Sequence, residues 1–139
     1  MMVLREDIVR EARSWIGTPY AHQGRIKGVG VDCVGLVIGV ARAMGLSEYD
    51  IDGYSRAPDE RVFRLHLLDQ MDAIAVSDVR PGDVLMFAPL GRLHLGIVSA
   101  VGPVSMVHSW AKLRLVCENP LGRLFGGCLR AAFAYRGVS

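Results

Sequence analysis

Apolar residues recur every three or four positions through the first half of the chain. From residue 78 onward they alternate or cluster in short solid runs. That change of period predicts helices first and strands afterwards. Leu4, Ile8, Ala12 and Trp15 mark one face of an amphipathic helix over residues 4–16, which Gly17 and Pro19 end. Residues 21–31 hold three glycines, an arginine and a lysine and read as a loop. Cys33, Leu36, Val37, Val40 and Met44 share one face of a second helix over 33–44, with Asp32 as its N-cap and Gly45 as its stop. Gly35 and Gly39 inside that helix predict close approach of another backbone, taken to be a sheet. Residues 46–59 form a polar loop, and 60–71 a third helix containing His66, read as a packing or surface residue.

The predicted strands are 84–87, 94–101, 104–109, a segment in which Leu113, Leu115 and Cys117 face inward, and a closing strand at 129–135. A loop with one helical turn is expected over 119–127. The resulting fold class is α+β, with N-terminal helices packed on an antiparallel meander sheet. The whole of 1–139 reads as a single domain, since no repeat or linker interrupts it.

Composition narrows the function classes. The chain is 51% hydrophobic and 22% charged, with a net charge of +2. Nine basic against ten acidic residues in 1–70, and seven against four in 71–139, give too weak an asymmetry for nucleic acid. The longest apolar run, Val34 to Ala41, is too short to cross a membrane. The N-terminus turns charged too early for a signal peptide, so synthesis and retention in the cytoplasm, or export by another route, is expected. The cysteines Cys33, Cys117 and Cys128 are odd in number and lack CxxC spacing, which argues against a disulfide framework and a zinc site. Cys117 and Cys128 read as buried, inert thiols.

The candidate chemistry begins at Cys33. A thiol at a helix N-terminus meets unsatisfied N–H groups and the positive end of the helix dipole, both of which favour thiolate. Cys33 is therefore expected to alkylate ahead of Cys117 and Cys128. Asp32 works against this, because a neighbouring carboxylate raises a thiol pKa. His94 opens a strand after a glycine turn and can serve as base; His108 lies on the next strand and can orient it. A hairpin turning at Gly102-Pro103 pairs positions whose numbers sum to roughly 204, which brings 94 and 108 within two residues of register. Read one by one, the cysteine fits a small core residue and the histidines fit ordinary strand positions equally well.

Four segments together carry a resemblance: Gly17-Thr18-Pro19-Tyr20, Val31-Asp32-Cys33-Val34-Gly35-Leu36-Val37, Pro81-Gly82-Asp83-Val84-Leu85-Met86-Phe87 and His94-Leu95-Gly96-Ile97-Val98. In content and order they resemble the NlpC/P60 family of cell-wall cysteine peptidases. Tyr20-Ala21-His22-Gln23-Gly24 and His108-Ser109 are similar to the short phage-type, tail-associated members. The resemblance implies a papain-like core with Cys33 as nucleophile, His94 as base and His108 as its orienter. It implies Tyr20 as an oxyanion and substrate contact beside the Cys33 N–H, with Asp32 and His22 on the substrate side. Taken by itself, His22 reads first as a surface loop histidine. The implied reaction is hydrolysis of the peptidoglycan stem peptide between D-glutamate and the diamino acid, without cofactor or metal. The implied partners are that stem peptide and phage-like tail proteins, and the implied place of action is the cell wall, reached from a tail particle. Val34 stands where many members carry serine, and Ala21-His22 where most carry tryptophan or arginine.

Competing classes remain. One is a non-catalytic tail assembly module of the same fold. Another is a Cys–His amidase or acyltransferase on a different substrate, although the permuted acyltransferases place histidine before cysteine. A metal held by His22, Cys33 and His94 lacks any pair at helical ligand spacing.

Overall fold

The computed structural model describes residues 2–139. Helix α1 spans Arg5–Arg13 and starts where the Asp7 carboxylate accepts from the Leu4 N–H at 2.9 Å. It is shorter than the periodicity suggests, because residues 14–17 continue only as turns that end at Gly17, with φ +90°. The expected loop 21–31 contains a small hairpin, β1 (Arg25–Ile26) and β2 (Gly30–Val31). Helix α2 (Cys33–Ala43) follows, capped as predicted: the Asp32 side chain accepts from the Gly35 N–H at 2.8 Å, and Gly45 leaves the helix at φ +71°. Helix α3 spans Glu60–Gln70. Its last expected residue instead opens a strand absent from the sequence reading, β3 (Met71–Ile74).

The strands β4 (Val84–Phe87), β5 (His94–Ala100), β6 (Ser105–Trp110) and β7 (Leu115–Pro120) run as the expected meander. A short helix α4 (Gly122–Gly126) leads to β8 (Leu129–Tyr135). The strand β8 crosses back to pair with both β4 and β3, so the antiparallel sheet has the order β3-β8-β4-β5-β6-β7. The β5–β6 hairpin keeps the register expected from Gly102-Pro103, with Ile97 opposite Val107 and Val98 opposite Met106.

Alternation along these strands divides the core between the two faces of the sheet. Val84, Met86, Leu95, Ile97, Val107 and Val116 face the helices, where they meet Ile8, Leu36 and Val40. Leu85, Phe87, Val98 and Met106 face the other way and are covered by Phe125 of α4. Full burial of Leu36 and Val40 contributes about 1.5–3 kcal/mol each. The inward phase expected of Leu113, Leu115 and Cys117 is reversed: Leu113 and Leu115 are exposed and Val116 is fully buried. Leu113 belongs to the turn before β7, and β7 is the sheet's edge strand. Its odd positions consequently look away from the helices.

Of the two glycines of α2, Gly35 meets another backbone as expected and Gly39 meets a side chain instead, while neither meets the six-stranded sheet. A side chain at Gly35 would strike the Gly24 carbonyl, the Arg25 guanidinium and Val31, and one at Gly39 would strike the Trp15 ring. Gly35 thus lets the 21–31 loop seat against the start of the helix. We expect Gly35→Ala to destabilise the fold by about 2 kcal/mol or more. Gly126→Ala, which meets open space in α4, should be neutral or stabilising by up to about 1 kcal/mol. Urea unfolding of both variants checks this; equal effects would contradict the packing role of Gly35.

Candidate active site

A cleft of about 470 Å³ opens between the start of α2, the start of β5 and the end of β6. Cys33, Asp32, Tyr20, His22 and His94 line it, together with Tyr54, Trp110 and Phe125. The cysteine arrives from the helix side of the sheet. His94 is the first residue of β5 and sits opposite Phe87, on the face covered by α4. Cysteine and histidine therefore reach one cleft from opposite faces, around the end of β5.

His108 lies beneath the cleft and is fully buried. Its Nδ1 is 2.8 Å from His94 Nε2, so the hairpin register does bring the two imidazoles together. Aromatic rings surround the pair. Phe125 stacks on His94 at 4.9 Å and meets His108 edge-on at 5.3 Å, and Trp110 stacks on His108 at 5.6 Å. Phe87 lies 6.0 Å from His94. In such dry surroundings the charged form is disfavoured. Burial, followed by the nearby His108, pulls His94 down to about 3, and burial lowers His108 as well.

Cys33 departs from the thiolate expected at a helix start. Burial first, and the Asp32 charge second, push its thiol up to about 12. The backbone N–H groups of Leu95, Val34 and Cys33 pull the other way and are outweighed. Among the described residues no hydrogen bond joins the Cys33 sulfur to an imidazole. Both shifts act in the direction of a neutral thiol and a neutral imidazole. Cys117 and Cys128 are also raised by burial, and all three cysteines are partly exposed rather than fully buried. Burial raises all three thiols, so the helix terminus alone does not set Cys33 apart for alkylation.

Tyr20 is half-buried, and burial together with Cys33 and Asp32 raises its phenol, so it stays an O–H donor beside the sulfur. Asp32 borders the cleft, but its oxygens are occupied. They accept from Gly35 N (2.8 Å), Gln23 N (2.8 Å), Tyr54 Oη (2.6 Å) and Arg25 Nη1 (3.3 Å). The carboxylate ties two loops to the head of α2 and is not a free acceptor for substrate. His22 sits at the rim, its ring edge-on to Tyr54 at 5.5 Å. Arg56, Arg92 and Lys112 are exposed lining residues, and Asp32 is the only carboxylate among the described residues that line the cleft.

Two contributors escaped the sequence reading. Tyr54, in the polar loop 46–59, clamps Asp32. Asn119 of β7 holds its Oδ1 2.8 Å from His108 Nε2. The β6–β7 register, with His108 opposite Cys117, places Asn119 diagonally beside His108, but the turn that sets this register was not identified. Among the described residues, no group of three His, Cys, Asp or Glu side chains is placed to hold a metal, and no helix is long and apolar enough to cross a membrane.

The model of the NlpC/P60 family matches residues 17–126. The fold superposes on an NlpC/P60 family protein from Bacillus cereus with a TM-score of 0.73 and 22% identity, covering 97% of this chain and 41% of that one. The NlpC/p60 domain of the peptidoglycan hydrolase SagA gives 0.66 and 26%, over 95% and 99% of the two chains. RipD from Mycobacterium tuberculosis, described as a non-catalytic NlpC/p60 domain protein adapted to peptidoglycan binding, gives 0.64 and 15%, over 98% and 99%. No curated protein matches the chain.

The buried imidazoles imply a pH dependence of stability. His94 has an ordinary value of 6.5 when unfolded and about 3 when folded. Unfolded chains take up a proton near pH 6.5 that the native state refuses until about pH 3. Stability is therefore complete above pH 6.5 and drains away between 6.5 and 3, by on the order of 4 kcal/mol at 1.4 kcal/mol per unit. His94→Gln should flatten that fall in urea-unfolding free energies measured across this window. Parallel curves for the two proteins would contradict the buried neutral imidazole.

Proposed function

The chain belongs to the NlpC/P60 family, and we propose that it is a cysteine peptidase acting on the stem peptides of peptidoglycan. The observation that carries this reading is the meeting of Cys33 and His94 in one cleft, with the far nitrogen of His94 already bonded to His108. Bonding at Nε2 leaves His94 Nδ1 as the nitrogen available to the cysteine.

In the proposed mechanism the Cys33 thiol gives its proton to His94 Nδ1 as sulfur attacks the scissile carbonyl carbon. The carbonyl π electrons move to oxygen. The Cys33 N–H, which has no intrahelical acceptor at the first position of α2, and the Tyr20 hydroxyl stabilise that oxyanion. The C–N bond then breaks, and the leaving amine takes the proton from His94 Nδ1. Water, deprotonated by the same nitrogen, attacks the thioester carbon; the C–S bond breaks, the sulfur takes the proton back from His94 and the carboxylic acid leaves.

The exposed cations Arg56, Arg92 and Lys112 around the cleft suit a substrate rich in carboxylates. They support a scissile bond after D-glutamate and before the diamino acid, as the family resemblance implies. SagA, a peptidoglycan hydrolase, supports the same substrate class. The likeness of Tyr20–Gly24 and His108-Ser109 to phage-type members supports carriage to the wall on a tail particle after synthesis in the cytoplasm. A binding-only module has two points in its favour: the absent sulfur–imidazole bond, and RipD as a non-catalytic neighbour.

Purified peptidoglycan separates these readings. Wild type should release muropeptide fragments, and Cys33→Ala and His94→Ala should each lose about 1000-fold or more. Equal release by wild type and Cys33→Ala would eliminate Cys33 as nucleophile. Retention on sacculi without release by wild type would establish the binding module instead.

A further inference from the structure

We propose that Asn119 is a positioning residue that selects the tautomers of both buried histidines and so decides whether His94 can act as a base. This rests on the catalytic reading above, but its structural core does not. Three polar groups form one line: Asn119 Oδ1 to His108 Nε2 at 2.8 Å, then His108 Nδ1 to His94 Nε2 at 2.8 Å. A neutral imidazole has one N–H and one bare nitrogen. The Asn119 oxygen can only accept, so His108 carries its proton on Nε2. His108 Nδ1 is then bare and accepts, so His94 carries its proton on Nε2. That leaves His94 Nδ1 bare, which is the state a base needs.

Reversing the asparagine amide would reverse every member of the line. An N–H₂ toward His108 would move the His108 proton to Nδ1, strip His94 Nε2 and place a proton on His94 Nδ1. The nitrogen available to Cys33 would then be unable to accept. In the structure the amide has its oxygen toward His108, and the Cys117 sulfur, 3.9 Å from Asn119 Nδ2, accepts from the other end of the amide. The same sulfur is 3.5 Å from His108 Nε2, so that N–H has acceptors on both sides. The bond from Asn119 also raises His108 against the lowering effect of burial. In the dry aromatic pocket no bulk water competes to set the tautomer.

Long-range proton–nitrogen correlation of the imidazoles in the free protein reads the tautomers without substrate. Wild type should show both His94 and His108 protonated at Nε2. Asn119→Leu, similar in shape but without an acceptor, should populate the Nδ1–H form of His108 and lower kcat about tenfold or more with KM little changed. Asn119→Asp keeps the acceptor and adds charge. It should restore the Nε2–H tautomers and kcat while raising the His108 titration midpoint by about one unit or more. A merely structural asparagine would leave the tautomers of Asn119→Leu unchanged, and that result would overturn the proposal. Should Asn119→Leu fail to fold, an unshifted His108 titration in Asn119→Asp would overturn it equally. Correct tautomers in a protein that does not cleave peptidoglycan would sustain the relay and reject the substrate assignment.

Discussion

The hydrogen bond between His94 Nε2 and His108 Nδ1 lies in a pocket walled by Phe87, Phe125 and Trp110. Neither imidazole can gain a proton there without losing the solvation of a charge. The bond therefore joins two neutral rings, and its direction is set by whichever outer group touches His108. Much of the fold serves to place that bond. The β5–β6 hairpin supplies the register, α4 brings Phe125 as a lid, and β7 brings Asn119 to the outer nitrogen. The helix side contributes Cys33, delivered to the open end of β5 by the Asp32 cap, with Tyr20 beside it.

Magnitudes decide why the helix end does not create a thiolate. Charge at a helix N-terminus is favoured by about 0.3–1 kcal/mol when exposed and up to about 2 when partly buried. The rise of the Cys33 thiol from 9.0 to about 12 corresponds to about 4 kcal/mol at 1.4 per unit. Desolvation and Asp32 together exceed the helix term. Asp32 cannot be dispensed with, because its oxygens hold Gly35, Gln23, Tyr54 and Arg25 in one network. The residue that builds the cleft wall is thus also one that favours the protonated Cys33 thiol.

Much of this was legible in the sequence where local rules are strong. The Asp32 cap, the Gly45 stop and the His94–His108 register each follow from a turn or cap with one dominant geometry. Strand β3 was hidden because Met71 continues the apolar pattern of α3 and only its pairing with β8, some 60 residues later, makes it a strand. Asn119 was hidden because the β6–β7 turn, with Arg114 at φ +63°, carries no glycine or proline to mark it. Gly35 and Gly39 were correctly read as contact points, but the partner of each is tertiary and no periodicity names it. Burial of Cys33 is likewise tertiary: its walls come from segments that lie far apart in the chain.

The account depends most on the neutral resting state of Cys33. Thiolate ultraviolet absorbance, taken as the difference between wild type and Cys33→Ala and followed with pH, measures that state directly. The predicted result is no thiolate signal from Cys33 at neutral pH, with the signal rising only in the strongly alkaline range. A Cys33 thiolate already present on a plateau near neutrality would contradict it, and would show that the helix terminus and His94 prevail over burial and Asp32.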